Sequence, residues 1–155
     1  VTIKIRLALY QPDLAANTGA MMRLCACLGI DMDVIEPCGF VLDNKRLRRS
    51  GMDYLDHLSW QRHLSWDAFI AQKSTRRLVL MTTKGATPYH RFDFRNDDVI
   101  LMGRESAGVP DEVHAAADAR IFIPMQPDTR SLNVALSAAM VMGEALRQTL
   151  ATSND

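Results

Sequence analysis

Charge of neither sign is in excess in this chain: 18 Lys and Arg stand against 18 Asp and Glu in 155 residues, for a formal net charge of zero. That balance excludes nucleic-acid binding by bulk charge over the whole surface, and it leaves room for a local basic patch. Long apolar runs are missing as well. None approaches the roughly 18 residues that a membrane-spanning helix needs. Ile3 to Tyr10 alternates with Lys4 and Arg6 and has no small-residue cleavage site, so it does not read as a secretory leader. A cytoplasmic protein with no membrane partner is expected. Cysteine is scarce: Cys25, Cys27 and Cys38 form an odd set with no export signal, which points to reduced thiols packed as small core residues. Cys25-x-Cys27 lacks a second ligand pair, and His57, His63, His90 and His114 show no ligand spacing, so no metal is expected. There is no internal repeat and no low-complexity segment.

What is present is a globular composition, 48% hydrophobic, of a size that fits one domain. Residues 1–150 are read as that domain and residues 151–155 as a frayed polar tail. Strands are predicted at Ile3 to Leu9, Met32 to Ile35, Tyr54 to Trp60, Arg77 to Thr82, Val99 to Met102 and Ile121 to Ile123. Helices are predicted from Thr18 to Leu28, Asp43 to Ser50, Trp66 to Gln72, Pro110 to Ala117 and Asn133 to Leu150. Strands alternate with helices, so the fold class is α/β, with a mainly parallel sheet covered by helices on both faces. In such sheets ligands bind at the carboxyl ends of the strands. Three loops leave strand ends there: Thr83 to Pro88, Gly103 to Pro110, and Pro124 to Leu132.

The loop Gly103-Arg104-Glu105-Ser106-Ala107-Gly108-Val109-Pro110 has two glycines that let backbone approach a ligand closely. It is neither a phosphate-binding Gly-Lys-Ser/Thr loop nor a G-x-G-x-x-G fingerprint. An ordinary strand-to-helix turn reads equally well from spacing alone. The segment Ile123 to Val134 joins a strand to a long helix, with Ser131 or Asn133 available as its cap. Ala135, Ser137, Ala138 and Ala139 would let another backbone pack closely on that helix, which is more than a cap requires. The third segment, Asn17-Thr18-Gly19-Ala20-Met21-Met22-Arg23, puts an arginine into an otherwise apolar helix. Such an arginine either pairs with a buried carboxylate or points at an anion.

Together these segments resemble the SPOUT superfamily of S-adenosylmethionine-dependent RNA methyltransferases, in its 2′-O-ribose branch. An N-x-G-x-x-x-R motif is matched by Asn17, Gly19 and Arg23. A G-x-E-x-x-G-[LV]-P motif is matched by Gly103, Glu105, Gly108 and Pro110. An I-P-M…S-x-N-[LV] motif is matched by Ile123, Pro124, Met125, Ser131 and Asn133. Ile35 to Phe40 and Lys45 to Tyr54 are further similar to the stand-alone tRNA 2′-O-methyltransferases that act on the wobble pyrimidine. Arg104, often Pro in such proteins, and Gly143, often aromatic, depart from the pattern.

The resemblance implies a C-terminal deep trefoil knot, an exception to ordinary chain topology. It implies S-adenosylmethionine as cofactor, held by Met81, Thr82, Gly103, Glu105, Ile123, Met125, Ser131 and Leu132. It implies a catalytic group of Arg23, Asn17, Ser131 and Asn133, with Arg23 gripping substrate phosphate and Asn17 and Ser131 orienting it. Glu105 is expected to pair with an arginine or to hold backbone amides of its own loop. Lys45, Arg46, Arg48 and Arg49 would contact RNA phosphates. The partners implied are tRNA, not DNA, and a second copy of the chain, packed through the first and last helices with Ala139, Met140, Met142 and Leu146 on the apolar face. Two readings compete: a methyltransferase acting on another tRNA or rRNA nucleotide, and an RNA-binding module that keeps the fold without catalysis.

Overall fold

The computed structural model describes residues 3–43, 45, 47, 55–129 and 132–151. Among them, seven strands form one sheet. They are β1 (Arg6–Tyr10), β2 (Asp31–Ile35), β3 (Trp60–His63), β4 (Leu78–Met81), β5 (Thr87–Pro88), β6 (Val99–Met102) and β7 (Ala119–Phe122). The order across the sheet is β3-β2-β1-β6-β4-β7-β5. Every pairing is parallel, so all strands point their carboxyl ends to one rim. The helices are α1 (Ala15–Leu28), α2 (Trp66–Lys73), α3 (Asp111–Ala116) and α4 (Val134–Ala151).

Parallel strands buried on both faces need apolar residues at successive positions, and β1 supplies them. Leu7 and Leu9 face a core that also holds Met21, Met22 and Cys25 of α1 and Ala138, Val141, Met142 and Ala145 of α4. Ala8 and Tyr10 face the opposite core, with Phe69 of α2 and Val113 of α3. Helices therefore cover both faces, as the sequence led one to expect. The first core contains Cys25, whose thiol burial pushes up to about 12; Cys38, half-buried, is raised to about 11 for the same reason. Cys27 departs from the expected core role, because it lies on the solvent face of α1.

The periodicity misplaced one strand. Residues Leu55–His57 form a 3₁₀ turn, and β3 occupies Trp60–His63. Leu55 and Leu58 are buried in the first core without joining the sheet. Trp-Gln-Arg-His reads as polar because β3 is an edge strand, with Gln61 and Arg62 exposed. A further edge strand, β5, falls in the expected loop; it is two residues long and ends in Pro88, which an edge tolerates. Helix α1 starts at Ala15, three residues before the expected Thr18, without a side-chain cap. Of the expected helix from Asp43 to Ser50, Lys45 and Leu47 are helical and the Leu47 amide donates to the Asp43 carbonyl at 3.2 Å; its residues 44, 46 and 48–50, Tyr54 and the tail 152–155 lie outside the described residues. Among the described residues no helix is long and apolar enough to cross a membrane.

Candidate active site

Four strands end side by side at the carboxyl rim: β1, β6, β4 and β7. The chain leaves β1 toward β2 on one side and returns through β4 and β6 on the other. The order of the strands reverses between β1 and β6, and open parallel sheets form crevices at such places. A cavity of about 250 Å³ lies next to this point, between the ends of β4 and β6, with Met81, Thr82 and Thr83 on one wall and Gly103 to Val109 on the other. Val134 and Ser137 of α4 close it. A smaller cavity of about 40 Å³ shares Met81, Thr83 and Ser137 with the first and extends it to Ile123, Met125 and Leu132.

Its walls are built by short local devices. After β6 the chain makes a tight loop in which Arg104 and Gly108 exchange backbone hydrogen bonds of 2.9 and 3.1 Å. Gly108 has φ +60, the left-handed region that favours glycine. A Cβ at Gly103 would lie 3.0 Å from the Gly108 backbone, so any larger residue there presses the loop open by a few tenths of an ångström. After β4 the Thr82 amide donates to the Ile121 carbonyl at 2.9 Å, tying the wall to β7. Gly85 lets the next turn lie against β7, where a Cβ would come within 2.5 Å of the Ile121 carbonyl carbon.

A chain of side-chain bonds locks three segments together. The Asp13 backbone amide donates to Glu105 Oε2 at 2.8 Å, and Asn17 Nδ2 donates to Glu105 Oε1 at 3.4 Å. Asn133 Nδ2 donates to Asn17 Oδ1 at 3.1 Å. Asn133 Oδ1 in turn accepts from the amides of Ala135 and Leu136, at 2.8 and 3.2 Å, and so caps α4. The Asp13 carboxylate accepts from the Ser106 hydroxyl at 2.6 Å and the Ser106 amide at 3.0 Å. Those two bonds hold its pKa below the usual carboxylate range, with nearby Arg104 adding to the effect.

The residues expected to hold a cofactor come together. Met81, Thr82, Gly103 and Glu105 line the larger cavity, and Met81, Ile123, Met125 and Leu132 the smaller. Ser131 lies outside the described residues. The expected catalytic residues divide. Asn17 and Asn133 meet, but Asn17 spends its amide on Glu105 and Asn133 rather than on orienting Arg23. Glu105 holds the amide of Asp13, in the β1–α1 loop, and not amides of its own loop. Arg23 is exposed on α1, in line with exposed Ala16, Ala20 and Cys27, and it lines neither cavity. Lys45 is exposed; Arg46, Arg48 and Arg49 lie outside the described residues. On α4, Ala139 and Met140 of the expected apolar face are exposed, but Met142 and Leu146 are core residues. Leu136 is 60% and Met140 40% exposed, and these two form its outer ridge.

Sequence reasoning missed Asp13, Thr83 and Ser137 as parts of the site, and it read Arg104 only as a departure from the motif and an extension of the basic patch. Asp13 lies only four residues before Asn17, and Ser137 four after Asn133. One helical turn beyond each motif was the signal available.

Comparison with known proteins agrees with this geometry. Residues 4–143 match the model of the SpoU rRNA methylase family. A Beijerinckia indica protein named tRNA (cytidine(34)-2′-O)-methyltransferase is 60% identical over 144 residues, covering 92% of this chain and 90% of that protein. An Escherichia coli protein of the same name is 38% identical, covering 93% of each. Among solved structures, one concerned with 2-OH methylation of C/U34 on tRNA superposes with a TM-score of 0.88 at 36% identity, over 93% of this chain and 95% of its own. The SpoU methyltransferase AviRb from Streptomyces viridochromogenes, in complex with AdoMet, superposes with a TM-score of 0.81 at 28% identity, over 97% of this chain and 63% of its own. The motifs, the sheet order and these matches together establish that the chain belongs to the SpoU methylase family.

Proposed function

We propose that this protein transfers a methyl group from S-adenosylmethionine to the ribose 2′-hydroxyl of the pyrimidine at position 34 of tRNA, and that it acts in the cytoplasm as a homodimer. One observation carries the reading: three segments far apart in sequence converge on a single crevice at the strand ends. The relatives at 60% and 38% identity carry this activity in their names.

The crevice suits the cofactor. Leu80, Met81, Met102, Val109 and Val134 offer apolar walls for a nucleoside base, and the glycine-closed loop brings backbone polar groups to its edge. When bound, the cofactor supplies a sulfonium methyl as the electrophile. The protein's share is alignment and exclusion of water, since no covalent intermediate is needed. The Glu105–Asn17–Asn133 chain holds the walls at fixed separation.

The attacking hydroxyl must lose its proton. A guanidinium, with a pKa above about 12, does not accept one in water. Arg23 therefore serves as a charged grip on a substrate phosphate, and a phosphate oxygen beside the ribose takes the proton. Exposed Lys45 begins the RNA-backbone patch, continued by Arg46, Arg48 and Arg49.

The second copy enters through α1 and α4. These helices pack together on one sheet face, and each keeps exposed residues on its outer side, Ala16 and Ala20 on α1 and Leu136 and Met140 on α4. Covering these outer sides places Arg23 near the partner's surface, so the exposed arginine is completed by dimerisation. The knotted passage of the C-terminal segment belongs to the same reading. Its support is that residues on either side of Ser131 lie against the β4 and β6 loops and Asn17. The test is mass-spectrometric mapping of the nucleotide methylated in total tRNA. Arg23→Ala is expected to abolish transfer while cofactor binding persists; full turnover in that variant would overturn the role of Arg23.

A further inference from the structure

Two charged side chains line the larger cavity, Arg104 and Glu105. Glu105 is committed to the Asp13 amide and to Asn17. Arg104 is committed only in part. Its Nε donates to the Gly108 carbonyl at 3.0 Å, and its guanidinium lies over the Tyr10 ring, 5.5 Å from the centroid. Its own backbone is fixed by the paired bonds to Gly108. Among the described residues, no carboxylate takes a hydrogen bond from its two terminal nitrogens. Asp13, which feels the charge of Arg104, gives its carboxylate to Ser106.

An arginine fixed at Nε and stacked on an aromatic ring has already lost most of its side-chain freedom. Its terminal N–H groups form a rigid fork that matches a two-oxygen anion. The remaining walls are apolar side chains, backbone and the hydroxyls of Thr82, Thr83, Ser106 and Ser137, none of which carries a positive charge to balance a carboxylate. A buried anion without a partner is costly.

We propose that Arg104 is an anion-binding residue of this cavity, its terminal nitrogens receiving either the carboxylate at the amino-acid end of the cofactor or a phosphate of the RNA. The assignment rests on reading the cavity as the cofactor site. Both sources present two oxygens to the same fork, and binding measurements on the intact protein separate them. Calorimetric titrations use S-adenosylhomocysteine and 5′-methylthioadenosine, which keeps the adenosine and sulfur but lacks the amino-acid arm. With a carboxylate source, Arg104→Gln weakens S-adenosylhomocysteine binding by roughly ten- to hundredfold. Methylthioadenosine binding is then unchanged, and Arg104→Lys restores only part of the loss. With a phosphate source, both nucleosides bind as in the unaltered protein. The slope of tRNA affinity against salt, measured without cofactor, then falls by about one. Unchanged S-adenosylhomocysteine affinity together with an unchanged salt slope overturns the assignment. So does equal weakening of both nucleosides, which would mean collapse of the loop. If the unaltered protein binds neither nucleoside, the cofactor reading fails instead, and the salt slope still tests Arg104.

Discussion

Asn133 donates a hydrogen bond to Asn17 at 3.1 Å across 116 positions of sequence, while its own oxygen caps the last helix. One side chain thus starts α4 and pins it to α1. Losing a cap costs about 1 kcal/mol. Asn133→Ala is expected to lower stability by about that cap plus the tie to Asn17, whose exposed geometry adds little. Asn133→Ser keeps a capping oxygen and should regain most of the stability, but it cannot reach Asn17. Urea denaturation measures the first effect and cofactor titration the second. Equal cofactor affinity in both variants and the unaltered protein would separate the tie from the site.

Asp13 and Ser106 clasp the β1 and β6 loops across the crevice. The clasp lowers the pKa of Asp13, so it prefers the ionised form. Its contribution is complete above the unfolded carboxylate value of about 3.9 and is lost as pH falls through the lower folded value. Cofactor affinity should therefore show no Asp13 titration from neutrality down to about pH 4. Asp13→Asn should raise the cofactor dissociation constant at neutral pH and flatten the acid limb of the stability curve. An acid limb identical in the two proteins would rule the clasp out.

Two glycines of the crevice predict different losses. A Cβ at Gly103 presses on Gly108 within the cofactor loop at 3.0 Å, a contact a loop relieves by opening. Gly103→Ala should weaken cofactor binding by about tenfold or more with modest loss of stability. A Cβ at Gly85 meets the β7 backbone at 2.5 Å, which cannot yield without parting strands. Gly85→Ala should therefore destabilise the whole domain, by roughly 1–3 kcal/mol. Thermal melting and calorimetry on both variants would distinguish these outcomes.

Leu136 and Met140 predict the state of assembly. Both are exposed on the outer ridge of α4. Leu136→Glu with Met140→Glu puts two carboxylates where an apolar face must pack, and sedimentation should report a monomer with unchanged helix content. If Arg23 works beside a partner chain, as proposed, methyl transfer should fall with the dimer. A monomeric variant with full activity would sever Arg23 from the interface.

Much of this was legible in the sequence because it rests on local rules. The apolar runs of β1, β4 and β6 could only be strands buried on both faces. Gly103 and Gly108 marked a loop whose backbone can approach a ligand, and the family resemblance named cofactor candidates at the end of β4 and in two of the three motifs. Polar edges escaped that reading: Trp60–His63 lacks the alternation of a half-buried strand because it pairs on one side only. The apolar ridge was misassigned in part, to Met142 and Leu146, for a related reason. Composition marks a helix as apolar, but only its packing against α1 and the sheet decides which apolar residues turn inward.

By itself the sequence determined the class of fold, the order of its elements, and which short segments carry chemistry, since each depends on residues near one another in the chain. Tertiary structure alone decided that Glu105 would reach back to Asp13 and Asn17, that Asn133 would complete the chain, and that Arg104 would keep two donors uncommitted beside a cavity. Those outcomes depend on strands β1, β6, β4 and β7 ending at one rim. Such neighbours are set by how the sheet is crossed, and no spacing along the chain encodes a distance across it.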